Sequence, residues 1–247
     1  ELASLKARLT TIETGAQIDS NSPVPPGKLL NTTTGNLYGT FRSAIQASAS
    51  GDRLLVGEGE FRVSSMIDII NKQGLQLIGA GADKTKVISS DMGNVVIDIQ
   101  HSEAIVLAGM LLPHEEPTTN QCQYGVILLE SSRNITIKDN TIRGSGVWGI
   151  DSSKTWGTLK VTNNIIEENT QDGIIFRGEH PNLRIFVFSD NTVRKNAGYA
   201  FKCDNCSFKE DLVFQGGDNV ESGNKKGIFD TSFSQSFQNE VGSSLAY

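Results

Sequence analysis

From Tyr124 to Asp230 apolar and polar residues alternate in short runs that return at a near-constant interval. Val126-Ile127-Leu128, Ile150-Asp151, Ile174-Ile175-Phe176, Tyr199-Ala200-Phe201 and Ile228-Phe229 each follow a glycine. Those glycines, Gly125, Gly149, Gly173, Gly198 and Gly227, are 24, 24, 25 and 29 residues apart. A second run recurs between them and ends on asparagine: Ile135 to Asn140, Leu159 to Asn164, Phe186 to Asn191 and Phe214 to Asn219. A repeat of this length, holding two or three short alternating strands and no helical stripe, predicts one coil of a parallel β-helix. Leucine-rich repeats share the length, but their fixed Leu and Asn pattern is absent. Coils stacked at a strand spacing of roughly 4.8 Å bring Asn140, Asn164, Asn191 and Asn219 into one ladder. Each amide then donates to one coil and accepts from another, and asparagine tolerates the left-handed geometry of a turn.

The earlier chain carries the same rhythm less regularly. Gly74-Leu75-Gln76-Leu77, Ala104-Ile105-Val106-Leu107 and Asn134-Ile135-Thr136-Ile137 stand 30 residues apart, which extends the coils back to about Leu54. Thr40 to Ala49 has apolar residues at helical spacing with Thr40 as N-cap, predicting a capping helix over the open end of the stack. Phe41 through Phe61, with Gly51-Asp52-Arg53-Leu54-Leu55-Val56 and Gly57-Glu58-Gly59-Glu60-Phe61, resembles the opening of pectate-lyase-like right-handed parallel β-helix proteins. The resemblance spans about residues 38–230 and implies an all-β, right-handed parallel β-helix. That superfamily holds lyases, glycoside hydrolases, epimerases and bacteriophage tailspikes, so the resemblance leaves activity open.

Ahead of the coils, Leu2, Leu5, Leu9, Ile12 and Ala16 fall on the a and d positions of a heptad. Glu1 faces Lys6, and Arg8 faces Glu13, across g and e positions, as a parallel coiled coil prefers. Leu at a with Ile at one d leans towards three strands, so a homotrimer is expected. Residues 17–37, with Ser22-Pro23-Val24-Pro25-Pro26-Gly27, read as a Pro/Thr-rich linker. The expected units are thus a stem over 1–16, the linker over 17–37, the β-helix over 38–230 and a closing segment over 231–247. In that segment Phe229, Phe233 and Phe237 recur every four residues; they either close the last coil or pack between subunits, the second being preferred. The chain begins on Glu1, so further residues are expected ahead of it.

Composition narrows the function classes. A net charge of −6 argues against a nucleic-acid partner, and no apolar run approaches membrane-spanning length. Neither a cofactor nor a metal is expected. Cys203-Asp204-Asn205-Cys206 is a CxxC with no second pair and no nearby histidine, and its cysteines read as thiols made in a reducing cytoplasm. The longest departure from the coil rhythm, residues 112–121, predicts a loop bulging from the side of the helix.

Chemistry is the thinner part of the reading. A calcium-dependent lyase needs carboxylates on neighbouring coils, but a glycine-anchored alignment places Asp151 beside Ile127, Ile175 and Ala200. Hydrolysis needs two carboxylates about 5 Å apart for retention or 6.5 to 9.5 Å for inversion. Arg143, Glu167, Arg194 and Ser222, three residues after each ladder asparagine, alternate in charge and read as cross-strand ion pairs. Tyr124, Trp148 and Asp172 precede three successive strand glycines. With Asp151 and Trp156 nearby they form a candidate sugar-binding group, rings stacking on C–H surface while the acid accepts hydroxyls. Catalytic candidates are Asp151, Asp172 and Glu168; substrate-binding candidates are Tyr124, Trp148, Trp156 and Asp172.

Two functions compete. The preferred one is a trimeric bacteriophage virion spike that adheres to bacterial surface polysaccharide and joins other virion proteins through its N-terminal side, with little catalysis. The alternative is a secreted or phage-borne polysaccharide lyase or glycoside hydrolase.

Overall fold

The computed structural model describes residues 23–115, 125–242 and 245–246. They form a parallel β-helix of about six turns. Seven strand triplets run from Arg53–Val56, Gly59–Val63 and Ile67–Ile70 to Val213–Gly217, Asn219–Ser222 and Gly227–Phe229. Corresponding strands pair in parallel into three sheets of nine, eight and seven strands. The alternation seen in the sequence is the cause. In Ile97–Gln100 and Ile127–Glu130 the isoleucines and Leu129 are fully buried, and the residues between them face outward. Inward residues from all three sheets merge into one apolar column from Leu29 and Phe41 to Phe237 and Val241.

Asn140, Asn164, Asn191 and Asn219 form the expected ladder, each at most 1% exposed. The Oδ1 atoms of Asn164, Asn191 and Asn219 each accept from the backbone N–H and side-chain amide of the preceding asparagine, at 3.0–3.2 Å. Their amides, with that of Asn140, also donate to the carbonyls of Leu107, Ile137, Val161 and Phe188. Left-handed geometry falls one position earlier than expected, on Asp139, Asn163, Asp190 and Asp218, at φ between 53° and 59°. A second ladder, unforeseen, runs through Ser145, Asn169, Asn196 and Asn224: Asn196 and Asn224 Oδ1 each accept from the backbone N–H and side-chain amide of the preceding asparagine, and Asn169 Oδ1 accepts from the Ser145 N–H alone.

At the N-terminal end the stretch expected as a linker carries strands from Leu29 onward. Leu29–Asn31 pairs antiparallel with Arg53–Val56 and with Leu37–Tyr38. This closes the otherwise free edge of the nine-stranded sheet. Helix α1, Phe41–Ala47, begins on Thr40, whose hydroxyl accepts from the Ser43 N–H at 3.2 Å, and buries Phe41, Ala44 and Ile45.

At the other end lies helix α2, Gln235–Gly242. The Phe237 ring stacks on Phe233 at 4.6 Å and on Phe208 at 5.2 Å. Phe233, Phe237 and Val241 are buried within one chain, which corrects the preference for packing these rings between subunits. Cys203 and Cys206 are joined in a disulfide, a correction to their reading as free thiols. Asn205, at φ 51°, and a register shift against the neighbouring strand bring the two together. The heptad stretch over 1–16, Tyr124 and residues 116–121 of the loop lie outside the described residues. No helix among the described residues is long and apolar enough to cross a membrane.

Candidate functional site

Three strands of the seven-stranded sheet repeat one short phrase: Ile67-Asp68-Ile69, Ile97-Asp98-Ile99 and Ile150-Asp151-Ser152. The isoleucines turn inward, so each aspartate faces out. The register places Asp68 beside Asp98, Asp98 beside Leu128, Leu128 beside Asp151, and Asp151 beside Ile175, which pairs with Lys202. This corrects the glycine-anchored alignment, which put Asp151 beside Ile127. Ile127 pairs with Ile150, so two residues follow Gly125 into the strand where only one follows Gly149. At strand spacing Asp68 and Asp98 are about 4.8 Å apart and Asp98 and Asp151 about 9.6 Å.

Asp98 and Asp151 each keep 2% of their surface exposed. Gln100 donates to Asp98 Oδ2 at 2.7 Å. Asp98 Oδ1, Asp68 Oδ1 and Trp148 Nε1 are buried and have no hydrogen-bond partner among the described residues. Arg177 holds Asp151 through two contacts, Nε to Oδ1 at 2.9 Å and Nη2 to Oδ2, and lies 5.0 Å from the centre of the Trp148 ring. Burial pushes the Asp98 carboxyl up to about 6; the Gln100 hydrogen bond opposes this, and the Asp68 and Glu130 charges add to it. Burial likewise raises Asp151 to about 6 against the pull of Arg177.

The other sequence candidates lie elsewhere. Asp172 Oδ1 accepts from the Tyr199 N–H at 2.7 Å, and its Oδ2 lies 3.8 Å from Lys202, so it clips one coil to the next. Gly198 packs so closely there that a Cβ would meet Asp172 Oδ1 at 2.1 Å. Glu168 is a turn residue at φ 58°, its side chain half exposed and 3.9 Å from Lys195. Trp156, 37% exposed, opens a strand of the nine-stranded sheet. Of the expected group, the structure brings Asp151 and Trp148 together on one face. Glu167 bonds Arg194 at 2.8 Å and lies 3.9 Å from Arg143, the cross-strand pairing that the charge alternation suggested. Asp68, Asp98, Gln100, Glu130 and Arg177 escaped the sequence reading, although the recurring Ile-Asp phrase pointed to the first two.

Fold and site together define a class, a right-handed parallel β-helix with an acidic, ring-flanked outer sheet face. Residues 45–241 match the family described as periplasmic copper-binding protein (NosD), and the chain belongs to that family. It is similar in structure to ORF18 of Geobacillus virus E2, with a TM-score of 0.56 and 17% identity over 94% of this chain and 46% of that one. It is also similar to the catalytic domain of a GH87 alpha-1,3-glucanase in complex with tetrasaccharides, with a TM-score of 0.49 and 14% identity over 77% of this chain and 36% of that one. The chain thus spans less than half the length of either. No curated protein matches it by sequence.

The family description raises copper. Among the described residues no three of His, Cys, Asp or Glu gather as ligands. His114 Nε2 lies 3.0 Å from the Asn94 carbonyl, His180 is fully buried between Phe176 and Phe208, and two cysteines are consumed by the disulfide. The described residues therefore do not fit a copper centre, and no chemistry is derived through one.

Proposed function

We propose that this chain is the shaft of a trimeric bacteriophage virion spike that adheres to a bacterial surface polysaccharide, without strong catalytic activity. The outer face of the seven-stranded sheet is its glycan contact. The observation that carries this reading is the set of buried, unpartnered polar atoms there, Asp68 Oδ1, Asp98 Oδ1 and Trp148 Nε1. Orphaned buried groups are costly, and sugar hydroxyls both donate and accept, so a glycan satisfies both kinds beside a ring it can stack on. The fold is shared with a virus protein, and the Cys203–Cys206 disulfide suits a protein that works outside a reducing cytoplasm. In this reading residues 1–16 form the trimeric stem, α1 covers the first coil and the N-terminal side joins other virion proteins. Light scattering on the full chain should give three times the 26.7 kDa monomer mass. Binding to one member of a bacterial exopolysaccharide panel should weaken at least tenfold in Trp148→Ala. A monomer removes the spike, and no binding across the panel removes the adhesion.

A second reading rests on one observation. Asp98 and Asp151, both titrating near 6, stand two strands apart. That backbone spacing of about 9.6 Å lies just beyond the roughly 9.5 Å upper limit for inverting carboxylates, and side-chain tilt can bring the pair within it. Reducing-end release that disappears in both Asp98→Asn and Asp151→Asn but survives Asp172→Ala would make the chain an enzyme. The adhesion reading expects no release from the parent protein.

A further inference from the structure

Asp68 and Asp98 form a carboxylate pair that no cation of the described residues neutralises. Arg177 is committed to Asp151, two strands from Asp98, and Lys202 lies 3.8 Å from Asp172. Glu130 adds negative charge to Asp98, and on the Asp68 side Arg42, Arg62 and Glu60 line the adjoining cavity without forming an ion pair with either aspartate among the described residues. Both carboxylates present a buried, unpartnered Oδ1, and Asp98 is 2% exposed. Asp68 also lines a cavity of about 500 Å³ between α1 and the Gly59–Val63 strand, walled by Phe41, Arg42, Phe61 and Ser64. That volume lies within the range of small-molecule sites. The end of the acidic row therefore opens onto a space that a ligand group can occupy.

We infer that this end of the face takes a cationic sugar unit, one bearing a free amine, whose ammonium sits between Asp68 and Asp98. The inference rests on the glycan-contact reading above and narrows its substrate class. An ammonium has three donors and forms charge-assisted bonds of about 2.8 Å, so one nitrogen can bridge oxygens up to roughly 5.6 Å apart. Asp68 and Asp98 are register partners on adjacent strands whose backbones lie about 4.8 Å apart, a spacing inside that reach. A neutral hydroxyl satisfies the hydrogen bonds but leaves the paired charge, and a uronate adds to it. The chain's net charge of −6 disfavours an anionic glycan further.

Calorimetry on the full chain at pH 7.5 in physiological salt tests this with three probes: a glucosamine tetramer, its fully N-acetylated counterpart and a galacturonate tetramer. The glucosamine tetramer should bind at least tenfold more tightly than either other probe. Asp68→Asn and Asp98→Asn should each weaken it at least tenfold, whereas Glu168→Gln, which removes one charge from an exposed turn, should not. Thermal melts confirm that each variant is folded. Equal binding of the amine and acetylated tetramers, preference for the uronate, or an equal loss in Glu168→Gln overturns the amine site and leaves the glycan contact standing. Failure of all three probes with exopolysaccharide binding intact overturns the amine site alone. Failure of both removes the glycan contact as well.

Discussion

Asp98 sets the electrostatics of the outer face. Its carboxyl titrates near 6 in the folded chain against about 3.9 when unfolded, so the folded state holds the proton more tightly. The stabilisation this gives is complete below pH 4 and lost as pH rises through 6. At pH 7.5 the buried charge therefore costs about 2–3 kcal/mol. Asp98→Asn should raise the melting temperature at pH 7.5 and leave it unchanged at pH 4; a shift independent of pH would contradict this account. Glu168 offers a second test, since it holds φ 58° where the neighbouring coils place Gly144 at 65° and Lys195 at 55°. Glu168→Gly relieves the left-handed strain at some cost in chain entropy, a net gain of up to about 1 kcal/mol in thermal or urea melts. Destabilisation would mean that its side chain does more than the long contact with Lys195.

At the scale of the coil, the asparagine ladders tie turns together where no strand pairing can. Asn164→Ala leaves the Asn140 N–H and amide without their acceptor and the Ile137 carbonyl without its donor, all in a buried turn. Each orphan costs about 1–3 kcal/mol, so the substitution should lower stability by about 3 kcal/mol or more. Asn164→Asp keeps the acceptor but buries a charge, and should be worse than alanine at neutral pH and recover on acidification. Melting curves within 2 °C of the parent would refute the ladder's role. The first ladder was legible because asparagine recurs beside an apolar run. The second was missed although Asn169, Asn196 and Asn224 each lie five residues after a ladder asparagine, because nothing apolar marks that turn. The register of the seven-stranded sheet was misread by one residue for a related reason. Glycines mark turns, and a turn absorbs an extra residue without disturbing the strand beyond it, as Val126 does.

The described residues form a rod with a single core, and such a rod needs its ends covered. Phe233, Phe237 and Val241 pack on the rings of Phe176, Phe186 and Phe208 at one end. A chain ending at Asp230 uncovers those rings, and should bind a hydrophobic dye and precipitate below the melting temperature of the parent. A soluble truncated chain with unchanged melting would show that the closing segment is dispensable.

The amino-acid sequence by itself determined the β-helix, its coil length, the main asparagine ladder, the position of α1 and the ion pairs flanking Glu167. Each follows from periodicity or from partners one repeat apart. Only the tertiary structure decided which acids share a face: inward or outward direction changes with every residue along a strand, so a one-residue slip in register exchanges neighbours. It also decided that Asp172 clips two coils, that the closing phenylalanines turn into their own core, and that Cys203 meets Cys206. These contacts depend on where the backbone turns, and left-handed residues such as Asn205 and Asp139 carry no apolar period that would announce it.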